Sequence, residues 1–162
     1  MKIGVYPGTF DPITNGHTDL ITRSLQVFDR VIVAIALNPS KHPLFDLSDR
    51  VEMVKLATKT VSNVEVEPFS GLLVDYVRQR GARAVIRGLR AISEFEYELQ
   101  MALINRKLDQ GFETVFFMPS EEYSYLTSSI IKEVASLGGA LNDFVHPEIA
   151  TRLRDRFRRN TP

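Results

Sequence analysis

The sequence of 162 residues predicts an α/β protein with a single doubly wound, five-stranded parallel sheet and an additional C-terminal helix. Two observations predict this fold class. Five short apolar runs, rich in β-branched residues, alternate with segments of helical spacing almost from end to end. The runs lack a clean alternation of polar and apolar residues, as expected for parallel strands that are covered on both faces. Five β/α units in succession are typical of such a sheet with right-handed crossovers.

The predicted strands are the apolar runs at 3–6, 31–37, 64–68, 84–86 and 114–118. Helical spacing of apolar residues predicts helices at 18–28, 49–61, 72–80, 92–108 and 128–137. Gly81 and Gly138 follow two of these helices, where glycine readily takes the left-handed conformation that ends a helix. Pro147 stands where a last, basic helix would begin. In the longest helix one side is marked by Ile92, Phe95, Leu99, Leu103 and Arg106.

The composition is that of an ordinary globular protein, with 44% hydrophobic and 25% charged residues. Twenty basic and twenty acidic residues balance, which gives no sign of a general nucleic-acid or membrane binder. The absence of cysteine excludes a disulfide framework, a thiolate metal site and a cysteine nucleophile. The longest apolar run, 31–37, is too short to cross a bilayer, and we expect a cytoplasmic protein. No linker or repeat is evident, so residues 1–162 are expected to form one domain.

The loop after the first strand has the features of a phosphate-binding turn. Two prolines and two glycines give it a tight path, and Gly16 lets a ligand approach the backbone closely. Thr14 or Asn15 can cap the following helix, which places His17 in the first turn, where free N–H groups and the helix dipole suit an anion. An isolated histidine is more often only a polar first-turn residue, but the position of His17 directly after the first strand favours phosphate binding.

Basic residues also follow two later strands, at the edge where doubly wound sheets bind ligands. Lys41 follows the second strand, and its compact ammonium suits a phosphate whose charge is changing; a solvated loop lysine is the alternative. Arg87 and Arg90 follow the fourth strand, where two guanidiniums can grip phosphates bidentately. The alternative is that these arginines only pair with Glu94 and Glu96.

A hydroxyl-rich segment, 123–129, precedes the fifth predicted helix. Thr127 is a good N-cap, and the free N–H groups behind it offer a second anion site. A bare helix cap is the simpler interpretation, because serine and threonine cap helices very often.

These motifs together resemble those of a known family. Residues 14–17, Thr-Asn-Gly-His, resemble the T/H-x-G-H signature of the nucleotidyltransferase superfamily, which includes the class I aminoacyl-tRNA synthetases. The stretch 6–17 is similar to the phosphopantetheine adenylyltransferase family in particular, and Thr14 supports that narrower assignment. Lys132 stands where the superfamily's I-S-S-T-x-x-R element has arginine, as this family usually has it. The match continues without departure at Lys41, 69–76, 87–90, 94–98 and 123–133.

The resemblance implies a Rossmann-like nucleotidyltransferase fold and a role for each of these residues. It assigns catalysis to His17, Lys41 and Arg90. It assigns acceptor binding to Thr9, Lys41, Leu73 and Arg87, although the sequence around Leu73 alone indicates core. It assigns ATP binding to Thr9, Phe10, His17, Gly88, Leu89, Arg90, Glu98, Tyr123, Ser124, Tyr125, Leu126, Thr127, Ser128 and Ser129.

The reaction expected from this resemblance is adenylyl transfer from ATP to 4′-phosphopantetheine. The acceptor phosphate would attack the α-phosphorus in line and pyrophosphate would leave. A phosphate is already ionised near neutral pH, so no general base is required, and His17, Lys41 and Arg90 would supply a positive field. No residues have metal-ligand spacing, so Mg²⁺ is expected to arrive with ATP. The resemblance further implies a homohexamer, with coenzyme A as feedback inhibitor.

Three alternatives remain open from the sequence. A related transferase acting on nicotinamide mononucleotide or glycerol 3-phosphate would share the first and last motifs, but it is not expected to share the stretch 68–76. A nucleotide-binding regulatory module would keep the phosphate site without turnover, and pyrophosphate release would exclude it. A flavodoxin-like protein would bind flavin, and colourless protein would exclude it.

Overall fold

The computed structural model describes residues 1–37, 42–90, 92–111 and 113–159. Its five strands form one parallel sheet in the order β3-β2-β1-β4-β5. The chain therefore winds outward from β1 to β3 and then returns to place β4 on the other side of β1. This confirms the predicted fold class. The strands are β1 (Ile3–Gly8), β2 (Arg30–Ala36), β3 (Val64–Phe69), β4 (Ala84–Gly88) and β5 (Glu113–Phe117).

The helices are α1 (Asn15–Ser24), α2 (Leu47–Ala57), α3 (Leu73–Gln79), α4 (Ile92–Leu108), α5 (Ser128–Ser136) and α6 (Pro147–Arg159), with a 3-10 turn at Glu121–Tyr123. The bounds of α4 and the start of α6 are as predicted. Three starts differ from the predictions: α3 begins at 73 rather than 72, and two other helices begin earlier than predicted because caps precede the apolar periodicity. Thr14 is the N-cap of α1, so that helix begins three residues before the predicted 18. The Asp46 carboxylate accepts a hydrogen bond from the Asp49 N–H, so α2 begins at 47 rather than 49.

Successive residues of each strand point to opposite faces of the sheet, and both faces are covered. Val31, Val33 and Ile35 pack with buried residues of α1, α2, α5 and α6. Ile32 and Ala34, from the same strand, pack with buried residues of α3. Covered faces explain why the strands are apolar without alternation. Within the described ranges, no helix has both the length and the apolar composition needed to cross a bilayer.

Helix α4 leaves apolar side chains in solvent. Phe95 is 43% exposed, Leu99 39% and Leu103 54%, and these three residues define the exposed α4 face. They belong to the side that the sequence periodicity marks as apolar. The period thus predicts the helix correctly, but among the residues that the structure describes nothing fully covers this face.

Candidate functional site

Three adjoining cavities lie at the carboxyl ends of β1 and β4, where the direction of winding reverses and ligands of doubly wound sheets bind. The first, of about 450 Å³, lies between β1, β4 and the start of α1. The second, of about 290 Å³, extends beneath α4, and the third, of about 450 Å³, extends to the start of α5. Thr9 lines all three. The three cavities therefore form one cleft that meets at the loop after β1.

His17 lies in the first turn of α1 and lines the first and third cavities. The backbone N–H of Thr14 donates to His17 Nδ1 at 3.0 Å, so this nitrogen is the acceptor and the ring proton is on Nε2. The edge of Phe10 packs on the ring, with centroids 5.1 Å apart. The imidazole thus acts as both a helix cap and a donor beside the cleft.

The charge of His17 differs from the sequence-based expectation. Burial, together with the positive charge of Arg90, lowers the pKa of His17 from 6.5 to about 4. The ring is therefore neutral near pH 7 in the protein without substrate, which differs from the expectation that it adds net positive charge. His17 can instead offer one preorganised N–H at the positive end of the α1 dipole.

Nitrogen-15 NMR of histidine-labelled protein tests this assignment. We expect a pyridine-like shift for His17 Nδ1 and a pyrrole-like shift for Nε2, both constant between pH 8 and pH 5.5, because the pKa lies at about 4. The His17→Gln variant assigns the resonances. Titration of the His17 ring near its ordinary pKa of about 6.5 would contradict the assignment.

Arg90 lies between the first and third cavities. Its Nη1 donates to the Leu126 carbonyl at 2.8 Å, and its Nη2 donates to Glu94 Oε1 at 3.0 Å. The alternative pairing with Glu94 is therefore present, yet the guanidinium still faces both cavities. Arg90 also connects the end of β4 to the loop before α5.

Arg87 lies between the first and second cavities and is paired with Glu98. Arg87 Nε donates to Glu98 Oε2 at 2.8 Å, and Arg87 Nη2 donates to the other carboxylate oxygen. Nη1 donates to the Pro7 carbonyl at 3.1 Å. Burial by itself lowers the pKa of Arg87, but the hydrogen bonds and charge of Glu98 outweigh it and raise the pKa. Arg87 pairs with Glu98, not with the Glu94 or Glu96 considered from the sequence, so its charge is largely compensated.

Two glycines of the predicted site differ in their packing. A Cβ on Gly88 would lie 2.7 Å from Leu20 Cδ1, so the end of the Leu20 side chain would have to shift and close packing of β4 on α1 favours glycine there. A Cβ on Gly16 would meet no atom closer than 3.5 Å, so packing alone would tolerate a side chain. Since Gly16 lines the first cavity, close approach by a ligand remains the predicted reason for that glycine.

The segment 123–129, which leads into the first turn of α5, divides between the cavities. Tyr123 and Leu126 line the first, and Thr127, Ser128 and Ser129 line the third. The Thr127 hydroxyl accepts from the Ile130 N–H at 3.1 Å, which confirms the predicted cap. The predicted ATP-binding residues that line none of these three cavities are Leu89, Ser124 and Tyr125.

The remaining predicted residues are distributed as follows. Leu73, the first residue of α3, packs against the core, as its sequence context indicates, and also lines the second cavity. Its role in acceptor binding stays a prediction. Lys41 lies outside the described residues. Asp11 and Arg50 were missed from the sequence. Asp11 lies in the stretch 6–17 that carries the family resemblance, so its position could have marked it as a candidate site residue. Arg50 lies in α2, where no feature of the sequence marks it as a candidate.

Comparisons with known proteins agree on one family. Residues 5–134 match the cytidylyltransferase-like family. A phosphopantetheine adenylyltransferase of Caldanaerobacter subterraneus subsp. tengcongensis is 50% identical over 160 residues, which are 99% of this chain and 100% of the relative. One from Alkaliphilus metalliredigens is 56% identical over 149 residues, 92% of this chain and 94% of the relative. One from Heliobacterium modesticaldum is 52% identical over 157 residues, 97% of this chain and 94% of the relative.

Solved structures share the fold at low identity. A protein of Vibrio parahaemolyticus described as a nicotinate-nucleotide adenylyltransferase matches with a TM-score of 0.74 and 18% identity, covering 99% of this chain and 98% of that one. A bifunctional NMN adenylyltransferase/ADP ribose pyrophosphatase of Francisella tularensis matches with a TM-score of 0.69 and 15% identity, covering 98% and 52%. These likenesses concern the fold alone.

Proposed function

The chain belongs to the phosphopantetheine adenylyltransferase family, and we propose on this premise how its cleft transfers the adenylyl group of ATP to 4′-phosphopantetheine, giving dephospho-coenzyme A and pyrophosphate. One observation carries the proposal. Thr9, His17 and Arg90 border the same cleft, so a nucleotide and an acceptor in adjoining cavities would bring their phosphates together there.

The three cavities divide the substrates in this proposal. ATP places its nucleoside in the first cavity and its β- and γ-phosphates in the third, near the N-terminus of α5 and Lys132. The pantetheine arm occupies the second cavity, whose walls include Phe69, Leu73 and Met101. The acceptor phosphate then lies near Thr9, in line with the α-phosphorus.

The transfer is a direct displacement. The ionised acceptor phosphate attacks the α-phosphorus, the bond to the β-phosphate oxygen breaks, and pyrophosphate leaves with the electron pair. His17 Nε2–H donates to an oxygen of the transferring group, and the Arg90 guanidinium stabilises its charge. Lys41, which lies outside the described residues, is proposed to contact the acceptor phosphate and the transferring group. The protein contributes position and electrostatics, and no covalent intermediate forms.

Mg²⁺ is proposed to arrive bound to the triphosphate, where it neutralises phosphate charge. The carboxylates that line the three cavities support this. Asp11 accepts from Lys132, Glu94 from Arg90 and Glu98 from Arg87. Each carboxylate is therefore already compensated by a cation, and among the described residues no cluster of three or more potential metal ligands occurs.

The experiment that tests the function is a product assay. The protein is mixed with ATP, Mg²⁺ and 4′-phosphopantetheine, and dephospho-coenzyme A is identified by mass spectrometry with pyrophosphate release in parallel. Nicotinamide mononucleotide and glycerol 3-phosphate serve as control acceptors. Turnover with a control acceptor and none with 4′-phosphopantetheine would contradict the proposed acceptor. Absence of turnover with all three would leave a nucleotide-binding module.

We also propose that the protein assembles as a homohexamer in which the exposed α4 face, Phe95, Leu99 and Leu103, is covered by another copy. Apolar side chains of this size rarely stay in water as a contiguous group unless they form an interface. Leu103→Glu is expected to reduce the assembly, because it places a charge in that contact. Light scattering after gel filtration measures the change from six chains toward one.

Leu137→Glu is the matched control for this prediction, since Leu137 is 82% exposed and lies outside α4. It is expected to leave the assembly intact. A Leu103→Glu protein that stays hexameric would show that the exposed α4 face is not the contact.

Coenzyme A is proposed to inhibit by occupying the same cleft, because it carries both the pantetheine arm and an adenine nucleotide. The second and first cavities adjoin at Arg87 and Glu98, which supports a ligand that spans both. Inhibition by coenzyme A that is relieved by raising 4′-phosphopantetheine tests this proposal.

A further inference from the structure

Arg50 is a buried arginine that joins three backbone segments beside the cleft. It lies on α2 and is only 2% exposed. Its Nη1 donates to the carbonyls of Thr9 at 2.8 Å and of Ala36 at 3.2 Å, and its Nε donates to the carbonyl of Phe45 at 3.2 Å. These carbonyls belong to the loop after β1, the end of β2 and the residue before the cap of α2. A rigid guanidinium therefore fixes the three segments relative to one another.

This burial is unfavourable for the charged group. Burial lowers the pKa of Arg50, although the negative charges of Asp11 and Asp46 act in the opposite direction and partly offset this effect. A well-packed apolar side chain of similar volume is often at least as stabilising as a buried ionic group. The arginine is therefore poorly explained by stability alone, and its bonds to the loop after β1 indicate a role in shaping the cleft.

Asp11 completes the arrangement from the other side. Its buried carboxylate accepts from the Leu44 N–H and the Phe45 N–H, each at 2.9 Å, and from Lys132 Nζ at 2.8 Å. Phe45 is thus bound through its carbonyl to Arg50 and through its N–H to Asp11. The two side chains hold the loop after β1 against the start of α2.

Phe10 lies between the two anchored residues in a disfavoured backbone conformation. Its φ is 49°, in the left-handed region that side chains with a Cβ rarely adopt. Such a conformation persists only where the surroundings enforce it. The Phe10 ring is 3% exposed and packs edge-on against His17, with centroids 5.1 Å apart. A change in the loop would therefore reach the His17 ring and Thr9 directly.

We propose that Arg50, together with Asp11, is a positioning residue for the transfer reaction. Arg50 holds the Thr9 carbonyl, and Asp11 is held by the Phe45 N–H, whose own carbonyl accepts from Arg50. These contacts enforce the left-handed conformation of Phe10, which places the His17 ring and the Thr9 side of the cleft. This inference rests on the proposed function, and it assigns a role to a residue that touches neither substrate.

Arg50→Lys is the variant that tests the inference. Lysine keeps the charge but cannot reach three carbonyls with fixed geometry. We expect kcat to fall by about tenfold or more and the KM for 4′-phosphopantetheine to rise, because a displacement of about 1 Å in a reacting complex can cost about 10²-fold in rate. Asp11→Asn is the second variant, with an effect in the same direction.

Met53→Ala is the matched control, because Met53 lies on the same helix and is fully buried in the core away from the cleft. It is expected to lower Tm while leaving kcat and both KM values per folded molecule unchanged. All assays are run below the lowest Tm. The inference is overturned if Arg50→Lys and Asp11→Asn keep wild-type kcat and KM, or if Met53→Ala reproduces their change in KM.

The His17 ring gives a readout that does not depend on turnover. Its nitrogen-15 shifts are expected to move in Arg50→Lys and to stay fixed in Met53→Ala. If the wild type forms no dephospho-coenzyme A, the proposed function fails while these shifts still decide the inference. Unchanged His17 shifts in Arg50→Lys would refute the positioning role.

Discussion

His17→Ala is expected to lower the kcat of dephospho-coenzyme A formation by about 10²–10³-fold, the cost of removing one preorganised donor from a developing charge. The neutral ring points its Nε2–H toward the cleft. The hydrogen bond that this N–H donates to the transferring group strengthens as negative charge develops there, so it stabilises the transition state more than the bound substrate. ATP affinity should change little, because the proposed nucleotide contacts are spread over two cavities. Steady-state rates give kcat, and titration calorimetry gives the Kd of ATP.

The alanine variant also removes the acceptor for the Thr14 N–H, a capping loss of about 0.5–2 kcal/mol. His17→Gln separates this loss from the effect on catalysis. Glutamine at this position of a helix can accept from the N-cap N–H, so Tm should be close to that of the wild type. Its kcat should lie between those of the wild type and His17→Ala. If His17→Ala abolished ATP binding but kept normal residual turnover, the role assigned to His17 would be wrong.

The sequence predicts the fold well because local signals and tertiary structure agree in most elements. The end of β1 is an exception: Pro7 and Gly8 usually interrupt strands, yet both pair in register with Ala34 and Ile35 of β2. The start of α1 is another. Apolar spacing begins at Thr18, whereas the capping interaction between Thr14 and His17 starts the helix earlier. In both places backbone hydrogen bonding, not side-chain pattern, sets the boundary.

The motifs identify the edge of the sheet that holds the cleft, but not the state of the side chains there. The pairs Arg87–Glu98 and Asp11–Lys132 join residues 11 and 121 positions apart, and such pairs arise only when helices pack on the sheet. The charge of His17 follows from burial and from Arg90, which the sequence does not place in contact. A motif indicates which residue types meet a ligand, whereas their charge depends on neighbours that the fold brings in.

Arg90→Met is expected to lower kcat/KM for ATP by about 10²-fold, in the range for loss of one charged stabilising group at a transferring centre. The guanidinium lies between the two cavities proposed for ATP and also holds the Leu126 carbonyl at 2.8 Å. Its removal therefore weakens both the positive field and the position of the loop before α5. Initial rates over a range of ATP concentrations measure kcat and KM separately.

Arg30→Met is the matched control, since the Arg30 side chain is 34% exposed against 33% for Arg90 and also pairs with a glutamate, at the opposite end of the sheet. It should leave kcat/KM within about twofold, because neither Arg30 nor its partner Glu65 lines any of the three cavities. The His17 pKa gives an independent check. The charge of Arg90 lowers that pKa, so Arg90→Met should raise it and Arg30→Met should not. A His17 pKa that stays at about 4 in Arg90→Met, together with wild-type kcat/KM, would mean that Arg90 does not act on the transferring phosphate.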